Sequence, residues 1–162
     1  MNDLVYEDIK IIQNTHFEDE RGIIYTTWCD KHFDIKNFKL DKVVISKYKA
    51  LRGLHGDYKS KKLLTSTHGE VFYVFVDNRK NSPKYNTVQS IFLSSNDKKT
   101  ILIPPGFATG VLTLSDISIL NYKLAFEGEY PDVEDQFSFK WNDPNFNIQW
   151  PIKDVILSER DK

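Results

Sequence analysis

The sequence predicts an all-β fold, an antiparallel sandwich or barrel formed by one domain over residues 1–162. Three observations predict it. Runs rich in β-branched and aromatic residues recur along the chain, turn residues separate them at roughly 8–12 residue spacing, and helical patterns are scarce. The 162 residues are enough for one complete core and too few for two comfortable ones.

The strand signals run in order. Ile23 to Trp28 and Lys42 to Tyr48 flank Asp30 to Phe38, the one stretch where a short helix is expected. Val71-Phe-Tyr-Val-Phe-Val76 reads as a central strand, stopped by Asp77-Asn78-Arg79 and the turn-like Asn81-Ser82-Pro83. Thr87 to Leu93, Thr100 to Ile103, Val111 to Leu114 and Ile117 to Lys123 follow. Ser94 to Asp97, Pro104-Pro105-Gly106 and Ser115-Asp116 separate them, and connections this short predict a meander. From Phe137 to Lys162 one further strand-like segment precedes an irregular tail, whose Trp141, Trp150 and Pro151 predict docking onto the body.

Composition narrows the class of function. With 40% hydrophobic, 14% aromatic and 28% charged residues, the chain has the material for a packed interior. Net charge is −1 and the cations are interspersed with carboxylates, so no basic stripe exists to hold nucleic acid. Cys29 is the single cysteine, which rules out an intrachain disulfide, and the first residues lack the cationic start and apolar run of a signal peptide. Both point to the cytoplasm. No apolar run approaches the length of a membrane span, so no membrane partner is expected.

Chemistry concentrates at Leu51-Arg-Gly-Leu-His55-Gly-Asp57. An imidazole titrates near neutrality and suits proton transfer, although a lone histidine is more often structural, the reading kept for His16, His32 and His68. Pro104-Pro-Gly-Phe-Ala-Thr109-Gly resembles the second box of cupin barrels, with Thr109 where a metal-binding histidine would stand. The paired histidines of the first box are absent, and His55 with His68 cannot complete a metal shell. No metal is expected.

Over nearly its whole length the chain resembles the dTDP-4-dehydrorhamnose 3,5-epimerases. The motifs that carry the resemblance are Phe17-Glu-Asp-Glu-Arg-Gly22, Leu51-Arg-Gly-Leu-His55, Lys62-Leu63 before Gly69-Glu-Val-Phe72, Val76-Asp77 with Arg79, and Ser82-Pro83. They continue through Ile103-Pro104 with Gly106-Phe107-Ala108, Tyr122-Lys123, Trp141-Asn-Asp143, Trp150-Pro151 and Leu157-Ser158 with Asp161. The resemblance implies a jelly-roll (cupin) dimer without metal or cofactor, in which N-terminal strands extend the partner's sheet. It implies epimerisation at C3 and/or C5 of a nucleotide-diphosphate 4-keto sugar, a 6-deoxyhexose or heptose destined for a bacterial surface polysaccharide.

The family's roles fall on residues of this chain one by one. His55 is similar to the catalytic base, and Asp161 to the carboxylate that orients it and stabilises its imidazolium. Tyr122 matches the tyrosine that handles a proton on the opposite face of the sugar. Lys62 matches the cation beside the 4-keto oxygen, where it stabilises the enolate more than the ketone. Arg21 and Arg52 match diphosphate contacts, and Phe17 belongs to the same substrate-binding set. Read without the family, Tyr122 is a packed strand tyrosine, Arg52 and Lys62 are surface cations, and Asp161 is a terminal charge.

Three departures bear on the substrate. His55 is followed by Gly56-Asp57, Thr109 replaces a second active-site histidine, and Phe126-Glu-Gly-Glu-Tyr130 replaces the segment that stacks thymine, so Asp57, Thr109, Phe126 and Tyr130 are the expected specificity positions. His-Gly-Asp and Phe-Glu-Gly-Glu-Tyr look closer to epimerases of GDP-4-keto-heptoses. A monofunctional C3- or C5-epimerase, a sugar 3,4-ketoisomerase and a non-catalytic sugar-binding relative are the rival readings. The joint retention of His55, Lys62, Tyr122 and Asp161 argues against the last.

Overall fold

The structure is a computed structural model that describes residues 8–30, 35 and 37–162. Its strands are β1 (Lys10–Gln13), β2 (His16–Asp19), β3 (Gly22–Tyr25), β4 (Phe38–Lys47), β5 (Leu51–Gly56), β6 (Lys61–His68), β7 (Glu70–Asp77), β8 (Val88–Ser94), β9 (Lys99–Ile103), β10 (Phe107–Thr113), β11 (Ile117–Ala125) and β12 (Phe137–Ser138). Single 3-10 turns cover Ser95–Asp97, Val133–Asp135 and Glu159–Asp161. The short helix expected over 30–38 falls mostly outside the described residues.

Two five-stranded sheets face each other, one ordered β1-β9-β6-β11-β4 and the other β12-β5-β10-β7-β8, while β2 and β3 form a separate hairpin. This is a jelly roll, and it corrects the expected meander. Of the consecutive pairs from β7 onward, β7 and β8 are neighbours, but β8 to β9, β9 to β10 and β10 to β11 each cross between sheets. Turn residues at 104–106 and 114–116 are short in either topology, so spacing alone cannot distinguish a hairpin from a crossing. What decides it is burial, because each strand must turn one face toward an opposing layer.

β7 illustrates the packing. Val71, Tyr73 and Phe75 point into the sandwich with Leu64, Ile101 and Leu120. Phe72, Val74 and Val76 point the other way, onto a second cluster with Leu51, Leu112, Phe146 and Trp150. Both faces are covered, hence the unbroken apolar run. The C-terminal tail supplies that second cover: Trp150 Nε1 donates to the Trp141 carbonyl at 2.8 Å, and Phe72 meets Trp150 edge-on at 5.6 Å between centroids. Burying a large side chain of this kind contributes roughly 1.5–3 kcal/mol. The end of the tail is also tied by backbone: Leu51 N–H donates to Ile156 O at 3.0 Å, and Ile156 N–H to Lys49 O at 2.9 Å. Docking of the tail brings the last turn beside β5.

Candidate active site

A cavity of about 180 Å³ opens between the sheets, lined by side chains of both. From one sheet come Arg52 and His55 on β5, Tyr73 on β7 and Thr109 on β10; from the other, Lys62 on β6 and Tyr122 on β11. Period-two alternation explains part of this grouping. Tyr122 pairs with Leu64 and Leu124 with Lys62, so Lys62, Leu64, Tyr122 and Leu124 share the inward face.

Arg52 and His55 need a further device. Three residues apart in a regular strand, they would point to opposite faces. Here Thr109 stands opposite His55 and Val111 opposite Arg52, so β5 spends three steps where β10 spends two. This is a β-bulge, and it returns both side chains to the cavity. Gly53 makes it possible. Its φ is 117°, and a Cβ there would lie 2.5 Å from the Thr109 carbonyl oxygen.

His55 is held at both ring nitrogens. Nε2 lies 2.6 Å from Asp161 Oδ1, and Nδ1 lies 2.8 Å from Ser138 Oγ. With Nε2–H donated to the carboxylate, Nδ1 carries the lone pair and accepts from the Ser138 hydroxyl. Asp161 is itself fixed by the Ser158 hydroxyl, which donates to Oδ2 at 2.8 Å. Burial lowers the His55 pKa below the ordinary imidazole value, Asp161 opposes that shift, and the charges of Arg160 and Lys62 add to it. The imidazole is therefore neutral at pH 7, the state a general base requires.

Lys62 is 17% exposed, and its Nζ lies 3.7 Å from Asp57 Oδ2. Burial lowers its pKa, and the Asp57 carboxylate works against that shift. Asp57 sits behind the lysine rather than on the cavity wall; its Oδ1 accepts from the Lys59 and Ser60 amides at 2.9 and 2.5 Å, closing the turn before β6. Burial also raises the Tyr122 pKa well above the usual phenol value, so this hydroxyl keeps its proton and can act as an acid. Arg52 Nε donates to Ser46 Oγ at 3.0 Å, which holds the guanidinium at the cavity mouth.

Of the other expected positions, Thr109 and Tyr130 line the cavity. Phe126 stands one step outside, its ring 5.5 Å from that of Tyr130. Phe17 and Arg21 are not brought to the cavity of their own chain. They lie on the β2–β3 hairpin, where Phe17 is 61% exposed and the Arg21 side chain, paired with Asp19 at 2.6 Å, is 83% exposed. Asp161 lies beside His55 rather than on the cavity wall. Two site residues went unread in the sequence. Ser138 is placed opposite His55 by the β12–β5 register, a long-range pairing with no local signal. Tyr73 was hidden in an apolar strand, although alternation along Val71–Val76 puts it on one face with Val71 and Phe75.

A wider depression of about 780 Å³ lies beside Arg79, but that guanidinium is already engaged by Asp8 and Asp77. Among the described residues, no group of three or more His, Cys, Asp or Glu side chains could hold a metal ion.

Sandwich and site together define a jelly-roll enzyme with a neutral imidazole, a protonated phenol and a buried amine around one small cavity. The family model for dTDP-4-dehydrorhamnose 3,5-epimerase matches residues 3–162. The dTDP-4-dehydrorhamnose 3,5-epimerase of Escherichia coli (strain K12) is 36% identical over 165 residues, spanning 96% of this chain and 88% of the relative. That of Methanothermobacter thermautotrophicus is 35% identical, spanning 94% of this chain and 85% of the relative. The crystal structure of dTDP-6-deoxy-D-glucose-3,5-epimerase from Legionella pneumophila, in complex with dTDP-4-keto-L-rhamnose, superposes with a TM-score of 0.88 at 33% identity, covering 98% of this chain and 87% of that one. The chain belongs to the dTDP-4-dehydrorhamnose 3,5-epimerase family.

Proposed function

We propose that this chain epimerises a nucleotide-diphosphate 4-keto sugar, inverting C3 and C5 through an enolate. The observation that carries this reading is the meeting of the His55–Asp161 pair, Lys62 and Tyr122 at one cavity. The protons at C3 and C5 are both α to the C4 carbonyl. His55 removes one of them, and the Asp161 carboxylate stabilises the imidazolium that forms. The Lys62 ammonium lies by the carbonyl oxygen, whose charge grows in the transition state, so the attraction is stronger there than in the ground state. Tyr122 returns a proton to the carbon from the other face, which inverts the centre. General acid–base steps of this kind contribute about 10²–10⁴-fold each.

At about 180 Å³ the cavity is smaller than the roughly 300 Å³ at which pockets enclose a whole drug-sized ligand, which suits a single sugar ring. The rest of the substrate then runs outward, with Arg52 on the diphosphate and Phe126 and Tyr130 against the base. Lys42 sits 4.3 Å over the Tyr130 ring and holds it at the mouth.

The active form is a homodimer in which the β2–β3 hairpin of each chain extends the partner's sheet. The hairpin belongs to neither sheet of its own protomer, its Ile24 is 71% exposed, and edge strand β4 exposes Val43 and Ile45. Exposed apolar side chains on an unpaired hairpin and on a sheet edge suit an interface. In that dimer Phe17 and Arg21 serve the partner's cavity. The single cysteine fits a reducing, cytoplasmic setting.

Incubation with dTDP- and GDP-linked 4-keto sugars in D2O tests the function. Deuterium entering C3 and C5, with the carbonyl still at C4, is the expected result. Migration of the carbonyl to C3 makes the protein a ketoisomerase, and binding without exchange makes it a non-catalytic relative; either result overturns the reading.

A further inference from the structure

A base that serves two carbons has to be emptied as well as filled. The imidazole that takes the proton of the first carbon must shed it before it can take that of the second, so His55 needs a path to solvent. Nε2 faces a closed end. Asp161 is buried, its Oδ1 lies 2.6 Å from Nε2, and its Oδ2 accepts from the Ser158 hydroxyl at 2.8 Å. Nδ1 instead faces Ser138 Oγ at 2.8 Å, and Ser138 is exposed.

Strand β12 accounts for that placement. Phe137 and Phe139 pack on the second core cluster, and the Phe139 ring meets that of Phe146 at 5.0 Å between centroids. Reciprocal backbone hydrogen bonds between Phe139 and Leu54, at 3.0 and 3.2 Å, fix the segment on the edge of its sheet. By alternation Ser138 turns to the other face, where register sets it directly opposite His55. A hydroxyl is both donor and acceptor, so at this rim position it can take a proton from one side and release one to the other.

We propose that Ser138 is a positioning residue that acts through His55, as the outlet by which the base returns the sugar's proton to solvent. At rest its hydroxyl donates to Nδ1 and keeps the lone pair on that nitrogen. Exposed side chains change rotamer in picoseconds to nanoseconds, so Oγ leaves Nδ1 to the approaching C–H and returns to accept the Nδ1–H that forms. In the first step the proton moves from carbon to Nδ1, and the C–H electron pair passes into the enolate. The Nδ1 proton then passes to Ser138 Oγ as the Ser138 O–H proton passes to solvent, which leaves a neutral imidazole and a neutral hydroxyl. Tyr122 gives one proton to the sugar and regains one from solvent, so the count closes.

This inference rests on the assignment of His55 as the base, and the test separates the two. Wild-type exchange in D2O at C3 and C5 decides the activity, whereas the outlet is read from the response to added buffer. Ser138→Ala deletes the hydroxyl of an exposed side chain and leaves the flanking aromatic residues in place. In dilute buffer kcat should fall roughly 10-fold, the scale of one hydrogen bond to a charged group, and sugar inverted at a single centre should be released. Added imidazole, a small base that can reach the rim, should restore kcat of Ser138→Ala as its concentration rises. Wild type and Ser138→Thr, which keep a hydroxyl, should not respond to it. A loss in Ser138→Ala that imidazole does not relieve would reduce Ser138 to a structural contact of the ring and overturn the proposal. Wild-type kcat of Ser138→Ala in dilute buffer, or an imidazole response in Ser138→Thr, would overturn it equally.

Discussion

His55 Nε2 and Asp161 Oδ1 stand 2.6 Å apart although 106 residues separate them in sequence. The contact exists because the tail docks on β5, and it raises the proton affinity of the imidazole. Asp161 raises the His55 pKa against the larger lowering by burial. Asp161→Asn therefore lowers that pKa further. The acid limb of kcat/KM should move to lower pH, while the plateau falls on the order of 10²-fold as the imidazolium loses its counter-charge. A pH–rate profile of wild type and variant checks both; a limb displaced to higher pH would contradict the arrangement.

The same imidazole links stability to pH. Its folded pKa lies below that of the unfolded chain, about 6.5, so acid protonates the unfolded state first. Stability contributed by the neutral His55 is present above about pH 6.5 and is lost as pH falls from there through the lowered folded value. Urea melts of His55→Ala against wild type should show a shallower loss of stability in that window.

Lys62 gives the opposite limb. It must be charged to stabilise an enolate, burial lowers its pKa, and Asp57 at 3.7 Å counters that shift. Asp57→Asn retains an oxygen for the turn amides but removes the charge, so the Lys62 pKa drops further. The basic limb of kcat/KM should move to lower pH while the melting temperature changes little. An unmoved basic limb would show that Asp57 only closes the turn.

Three residues that line the cavity were legible because motif order carries them: His55 after Arg52-Gly-Leu, Lys62 before Gly69-Glu-Val, Tyr122 before Lys123. The strands over Val71–Val76 and Ile117–Lys123 were legible from composition. What lay beyond reading depends on partners far along the chain. Asp57 was expected to meet substrate, but its carboxylate turns back onto the Lys59 and Ser60 amides, a choice made by turn geometry. Ser138 meets His55 only through strand register. The meander failed because a three-residue connection serves equally for pairing within a sheet and for crossing to the other.

Gly53 is where the bulge can be probed. A side chain there meets the Thr109 carbonyl, and its φ of 117° is a region that L residues avoid. Gly53→Ala should cost about 1–3 kcal/mol from backbone strain alone. Its activity loss should exceed what the stability change explains, because Arg52 and His55 can no longer share a face. Denaturant melts and kcat/KM measured on the folded fraction check this; an active Gly53→Ala enzyme would mean that the register of β5 is set elsewhere.

The hairpin prediction concerns which cavity Arg21 serves. Within one chain its guanidinium is exposed and paired with Asp19, away from His55. If each hairpin crosses to the other protomer, His55→Ala and Arg21→Ala chains should complement one another. In a mixed dimer, the cavity of the Arg21→Ala chain keeps its own His55 and receives an intact Arg21 from the His55→Ala partner, so one site of two is whole. The other cavity carries both defects. Arg21→Ala alone should lose affinity for the diphosphate, with KM rising roughly 10-fold or more for loss of a charge-assisted contact. Unfolding and refolding the two variants together at equal concentration gives about half of the chains in mixed dimers by random assortment, so about a quarter of all sites should recover wild-type kcat/KM. If Arg21 instead served its own cavity, every site in the mixture would carry one defect and mixing would restore nothing. Activity assayed at substrate well below the Arg21→Ala KM separates these outcomes, and sedimentation of the refolded mixture confirms that dimers formed.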